Sequence, residues 1–118
     1  MSKSYSSLIE AIEEQNHRFV VVLFEFKNAL MVFYYEGEFV KLGTLAVAIP
    51  QFEGKTCISS ILLGERNAIF TKILAEHLSN AYGGMVLVST HLPLIKEDRI
   101  SGVIFKLTKK ILDKFLLK

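Results

Sequence analysis

Leu45-Ala46-Val47-Ala48-Ile49-Pro50, a polar stretch Gln51-Phe52-Glu53-Gly54-Lys55-Thr56, and then Cys57-Ile58-Ser59-Ser60-Ile61-Leu62-Leu63-Gly64 form the segment on which the reading of this chain turns. Two short apolar runs flanking a polar connection predict neighbouring strands joined by a turn, with Gly54 free to take a backbone conformation that side chains disfavour. The first strand, roughly Thr44 to Ile49, stops at Pro50, which has no N–H to give to a ladder. The second runs from Cys57 to Leu63. Beyond Gly64 the pattern becomes helical: Ile69, Phe70, Ile73, Leu74, His77, Leu78 and Ala81 fall on one stripe, with Arg66, Lys72, Glu76 and Asn80 largely off it. Gly83 is placed to stop that helix in a left-handed conformation.

Working outward, Phe19 to Phe26 and Ala29 to Tyr35 flank Lys27-Asn28 and, rich in β-branched and aromatic residues, predict a hairpin. Alternation puts Val20, Val22, Phe24 and Phe26 on one face and Phe19, Val21 and Leu23 on the other. Both faces are apolar, so both need cover: helices of this chain for one, something else for the second. Glu36-Gly37-Glu38 marks a turn, and Gly43 precedes the Thr44 strand. Met85 to Ser89 is a further short strand. Pro93 lies in a loop before a last helix, roughly Asp98 to Lys118, with a buried stripe of Ile100, Val103, Ile104, Leu107, Ile111 and Phe115. Residues 5 to 16 fit a helix through the capping-box pair Ser7 and Glu10, or a strand with Tyr5, Ser7, Ile9 and Ala11 on one face; the strand is favoured. The expected fold is a single α+β domain over residues 1–118, a mainly antiparallel sheet backed by two principal helices.

Composition bounds the function. The 118 residues supply one core. At 51% hydrophobic residues and a mean hydropathy of +0.37, the chain has more apolar surface than a small domain covers alone, which implies a partner. The apolar run Phe19 to Phe24 is closed by Glu25, and no uninterrupted apolar run approaches the roughly 20 residues of a membrane span. The amino terminus lacks the pattern of a secretory signal, so a cytoplasmic home, shared or not with the nucleus, is expected. Fourteen Lys and Arg against twelve Asp and Glu give a net charge of +2, too balanced to predict nucleic-acid binding. The distribution is uneven: Glu10, Glu13 and Glu14 gather early, while Lys106, Lys109, Lys110, Lys114 and Lys118 load the end, where cations suit the negative pole of a helix dipole. That amphipathic helix is read as covering the core, with no membrane role.

No arrangement of chemistry-bearing residues stands out. Cys57 is the only cysteine and reads as a small core residue; a cysteine-based metal cage is ruled out. His17, His77 and His91 have no ligand spacing, and His77 reads as a partly buried packing residue on its helix. A Cys57–His91 thiolate–imidazole pair is conceivable only through an unforeseen spatial meeting. Gly83-Gly84 follows a helix and leads into a strand, the reverse of a phosphate loop. Glu13 and Glu14 have no second acidic cluster for paired-carboxylate hydrolysis. No cofactor, metal or enzymatic activity is expected.

In chain order, Leu45-Ala46-Val47-Ala48, the gap, Ser60-Ile61-Leu62-Leu63-Gly64, the helix Ile73-Leu74-Ala75-Glu76-His77-Leu78 and the strand Val86-Leu87-Val88-Ser89 resemble the proteasome assembly chaperone 4 family. The sibling chaperone 3 family is a weaker match, and the resemblance extends more faintly over roughly residues 17 to 115. It implies a non-enzymatic chaperone that pairs with a chaperone 3-type sibling, or with itself, and holds α-type subunits while the α-ring of the 20S proteasome forms, leaving before maturation. The chain ends Phe115-Leu116-Leu117-Lys118, without the hydrophobic-tyrosine-X tail of the larger assembly chaperones, so docking by such a tail is not expected. Phe33, Tyr35, Leu45 and Val47 are the candidate interface residues, chosen as apolar strand positions. A different class of function, a roadblock- or longin-like scaffold for a small GTPase, is the alternative; without a phosphate loop, this chain would be the partner and not the GTPase.

Overall fold

Eight elements follow one another in the computed structural model, which describes residues 6–14, 16–51, 57–93 and 97–117. They are β1 (Ser6–Glu14), β2 (His17–Glu25), β3 (Ala29–Glu36), β4 (Thr44–Ile49), β5 (Ile58–Leu63), α1 (Ala68–Tyr82), β6 (Met85–His91) and α2 (Glu97–Leu116). The six strands make one sheet in the order β1-β2-β3-β6-β4-β5. Every neighbouring pair is antiparallel except β3 and β6. The expected α+β domain with a mainly antiparallel sheet and two helices is therefore the fold observed. The turn expected at Gly54 and the position of Tyr5 lie outside the described residues.

Residues 6–14 form a strand, and Ser7, Ile9 and Ala11 share a face as the strand reading requires, opposite Phe24, Val22 and Val20. The capping-box alternative loses because the other face of β1 also has a use: Leu8 and Ile12 pack into the core. β6 occupies the centre. Its seven residues carry no acidic or lysine side chain, and Val86 and Val88 are fully buried between β3 and β4, as suits a strand flanked on both sides. Reaching that slot from the edge strand β5 requires α1 to cross over β4. Gly43 permits close packing at the far end of β6, because a Cβ there would run into the Thr90 carbonyl. β5 starts at Ile58, leaving Cys57 just before it.

Both helices lie on one face. Leu23, Leu30, Val32, Tyr34, Ala46, Ala48, Val86 and Val88 from the strands meet Leu74 and Leu78 of α1 and Val103, Ile104, Leu107 and Ile111 of α2 in a single core. Each such large aliphatic side chain contributes about 1.5–3 kcal/mol by leaving water. The α2 stripe is the one expected, Ile100 to Ile111 buried and Phe115 partly so. The α1 stripe is only in part the one expected: Leu74 and Leu78 are buried and Phe70 packs against the core, but the face as a whole is rotated. Thr71, Leu74, Ala75, Leu78 and Ser79 face the core, whereas Ile69, Ile73, His77 and Ala81 are exposed. Small residues let α1 approach β6 closely, and their hydroxyls are satisfied: Thr71 Oγ1 lies 2.8 Å from Thr90 Oγ1, and Ser79 Oγ donates to the Gly84 carbonyl at 2.6 Å. Hydrophobicity alone thus rotated the expected helix face. Gly83 does end α1 in the left-handed region, φ 83°, its N–H donating to the Ser79 carbonyl.

Candidate interaction surface

The face of the sheet turned away from the helices is apolar across all six strands. Residues directly opposite on paired strands point the same way, so the register maps this face row by row. One row runs Ile9, Val22, Phe33, Ser89, Leu45 across β1, β2, β3, β6 and β4. The next runs Ser7, Phe24, Met31, Leu87, Val47 and on to Ser60 of β5. On the other side of the first row come Ala11, Val20, Tyr35 and His91. Among the described strand residues of this face, charge is confined to the opposed pair Glu13 and Arg18 at one end.

The face is graded. At its middle, Val20, Val22 and Tyr35 are 7% exposed or less because neighbours crowd them, with Ala11, Phe24 and Phe33 packed alongside. Phe24 and Phe33 meet edge to face with ring centroids 6.0 Å apart. Together with Phe26 and Met31 they line a shallow apolar depression of about 270 Å³. Toward the margins the side chains open to water: Ile9, Ile49, Ile58 and Leu62 are each about half exposed. The long axes of the molecule are 42 and 36 Å and its thickness 22 Å.

The four residues singled out from sequence, Phe33, Tyr35, Leu45 and Val47, all lie on this face. Phe33 and Leu45 sit in one row, with Ser89 of β6 between them. The family-motif residues split: Ala46 and Ala48 point into the core, Leu45, Val47, Ser60 and Leu63 belong to the open side, and Leu62 is the extra residue at the register shift between Ile61 and Leu63. Gly64 closes β5 at φ 89°, its Cα against Thr44. Sequence reasoning missed Met31, Leu87, Ile9 and Ile58, which complete the surface. Strand alternation carried their signal, but only the insertion of β6 between β3 and β4 places Leu87 beside Met31 and Val47.

The groups weighed for chemistry are dispersed. Cys57 stands at the Ile49 end of β4 and β5, and His91 at the Thr44 end, so the two are not brought together. Cys57 is half-buried, not core, with its Sγ 3.1 Å from Asn80 Oδ1. His77 is exposed, its ring against the edge of Phe105. His91 Nδ1 is buried without a hydrogen-bond partner. Tyr34 is the one strongly perturbed acid among the described residues: burial pushes its phenol well above the usual range, partly offset by the Thr108 hydroxyl 2.6 Å away. It sits inside the core, out of reach of any ligand. Among the described residues no group of three or more His, Cys, Asp or Glu could hold a metal ion, and no helix is long and apolar enough to cross a membrane. The arrangement offers apolar contact over a broad, nearly uncharged plane.

No protein-family model and no curated protein sequence matches this chain. Its fold is similar to that of a chain in the crystal structure of a chaperone complex for yeast 20S proteasome assembly, with a TM-score of 0.73, 16% sequence identity and 98% of each chain covered. That likeness, at so low an identity, is one of fold.

Proposed function

We propose that this protein is a non-catalytic assembly chaperone of the chaperone 4 type, whose open sheet face is covered by a sibling of the same fold and whose remaining surface holds α-type subunits while the 20S proteasome α-ring forms. The observation that carries the reading is the six-stranded apolar face left bare by the two helices, on a fold shared end to end with a yeast proteasome assembly chaperone. Burial of this face would supply the pairing energy, since an apolar, shape-matched core with few charges is how stable interfaces are built. The grip on the α-type subunit would use more polar surface and so be weak enough to be displaced as the ring matures.

The test is native mass spectrometry of the tagged chain recovered from its own cells at low salt. A complex with a sibling chaperone and α-type subunits, but without mature β-subunits, supports the reading. Nucleotide-dependent recovery of a small GTPase would replace it with the scaffold reading.

A further inference from the structure

The two edges of the sheet are treated differently. Along β1, Lys114 Nζ donates to the Ile9 carbonyl at 3.2 Å and Lys110 Nζ to the Ala11 carbonyl at 3.4 Å, and the strand itself carries Glu10, Glu13 and Glu14. Lysines and carboxylates on an edge are how sheets avoid pairing with other chains. The opposite edge, β5, reads Ile58-Ser59-Ser60-Ile61-Leu62-Leu63, with no charge and no proline, and its one irregularity is the register shift at Leu62, between the Ala46–Ile61 and Leu45–Leu63 pairs. Ile58, Leu62 and Leu63 are 58%, 51% and 47% exposed.

The helix beside that edge continues the apolar margin. Glu76 accepts a hydrogen bond from Ser59 Oγ, and Asn80 lies against Cys57 Sγ, so the α1 side containing Ile69, Lys72, Ile73, Glu76 and Asn80 looks toward β5. Ile69 and Ile73 on that side are 77% and 48% exposed, too much for residues whose only task is the core.

We propose that β5 and this side of α1 form a second interface, occupied by a second copy of the chain, with the two β5 strands pairing antiparallel about a two-fold axis at Ser60. The strand is self-complementary in that register. Ser60 opposes its own counterpart on the open face and Ser59 opposes Ile61 on the helix face, so these pairs match in facing, while Ile58 meets Leu62 of the other copy at the register shift. Helix α1 runs back along β5, rising about 1.5 Å per residue against about 3.3 Å for the strand. The Ser59–Glu76 and Cys57–Asn80 contacts therefore put the level of Ser60 near Leu74. The axis then relates Glu76 of one copy to Lys72 of the other, opposite charges meeting twice, with Ile69 and Ile73 roofing the seam. No alternative register of β5 on itself keeps both the facing and this charge match. The seam shares Ile58 and Ser60 with the margin of the sheet face assigned to the sibling, whereas Lys72 and Glu76 of α1 lie on the other side of the sheet and belong to the seam alone.

Sedimentation velocity on the full chain, purified without a sibling across the micromolar range, tests this. The expected result is a reversible dimer whose dissociation constant rises at least tenfold in Leu62→Lys and in Lys72→Glu, is restored by combining Lys72→Glu with Glu76→Lys, and is unchanged in Ile9→Asp on the open face at the opposite edge of the sheet. Should Leu62→Lys fail to fold by circular dichroism, Ser60→Cys in a Cys57→Ser background decides: opposed cysteines at the axis give a disulfide-linked dimer under mild oxidation. A monomer at all concentrations, or a dimer lost in Ile9→Asp but intact in Lys72→Glu and showing no disulfide cross-link in the Ser60→Cys variant, would overturn the proposal.

Discussion

The two faces of the sheet are built from the same residue types yet stand in opposite situations. On one, Val21, Leu23, Val32 and Tyr34 are sealed by α1 and α2; on the other, Val20, Val22, Phe33 and Tyr35 meet strand neighbours such as Ala11 and Phe24 and no helix. Composition does not distinguish them, since β2 and β3 supply both faces from consecutive positions. The distinction comes from where the helices have their apolar stripes and how many helices there are: two helices cover one side of six strands, and among the described residues none is left for the other. An apolar face whose middle is shielded by its neighbours and whose rim is half exposed is what a protein presents to a partner of similar flatness.

The largest expected difference between the faces is in stability. Ile104→Ala, on the sheet-facing side of α2 and fully buried, leaves a cavity in the sealed core and should cost about 2–5 kcal/mol, read as a lowered urea midpoint. Phe33→Ala, on the open face and only partly buried, should cost clearly less in the isolated chain by the same measurement. Equal losses would mean that the isolated chain already buries its open face.

Binding should reverse the order. Val47→Asp puts a charge on the open face between Leu87 and Ser60, where an interface tolerates it poorly, and should weaken the complex with the sibling by about 2 kcal/mol or more, roughly thirtyfold, by titration calorimetry. The isolated variant should keep its thermal midpoint within a few degrees. Unchanged sibling affinity would remove the face from the interface.

The sequence made the strands, their alternation and the double-sided apolar hairpin legible, because period-two patterning is a local property. It also placed Phe33, Tyr35, Leu45 and Val47 on strands that share a face. It did not reveal that β6 inserts between β3 and β4, since strand order depends on long-range pairing that no local pattern encodes. The α1 face was misread for a related reason. Thr71 and Ser79 look like surface residues until Thr90 and the Gly84 carbonyl are seen to satisfy them, and Ile69 and Ile73 look like core until the sheet proves to end at β5. The charge asymmetry was visible, but its structural use was not: acidic β1 lies under basic α2, Glu14 pairing with Lys106 at 3.1 Å and Glu10 with Lys114 at 3.2 Å.

Within the sealed face, Tyr34 provides a smaller and pH-specific test. Its folded-state ionisation lies above that of the unfolded chain because burial disfavours the phenolate. The neutral form is therefore the one the fold holds: the unfolded chain loses its proton first, and the stabilisation, complete below about pH 10, is lost as the pH rises beyond it. Tyr34→Phe should cost about 1 kcal/mol at neutral pH through the lost Thr108 contact and should flatten the alkaline decline in stability. An alkaline limb as steep as that of the parent chain would assign it to other groups.

The smallest effect should come from the lysines that tie α2 to β1. Lys110 and Lys114 are about half exposed, and their pairing with Glu10 is worth at most about 1 kcal/mol and is screened by salt. Lys110→Met with Lys114→Met keeps the aliphatic stems over β1 and removes the charges, so the thermal midpoint should fall only slightly, and the deficit should shrink at high salt. Both substitutions also remove donors from the Ile9 and Ala11 carbonyls. If these lysines guard the edge, the double variant should aggregate faster than the parent at equal fraction folded, measured by light scattering well below the midpoint. The same light-scattering rate in both would mean that the acidic side chains of β1 protect that edge by themselves.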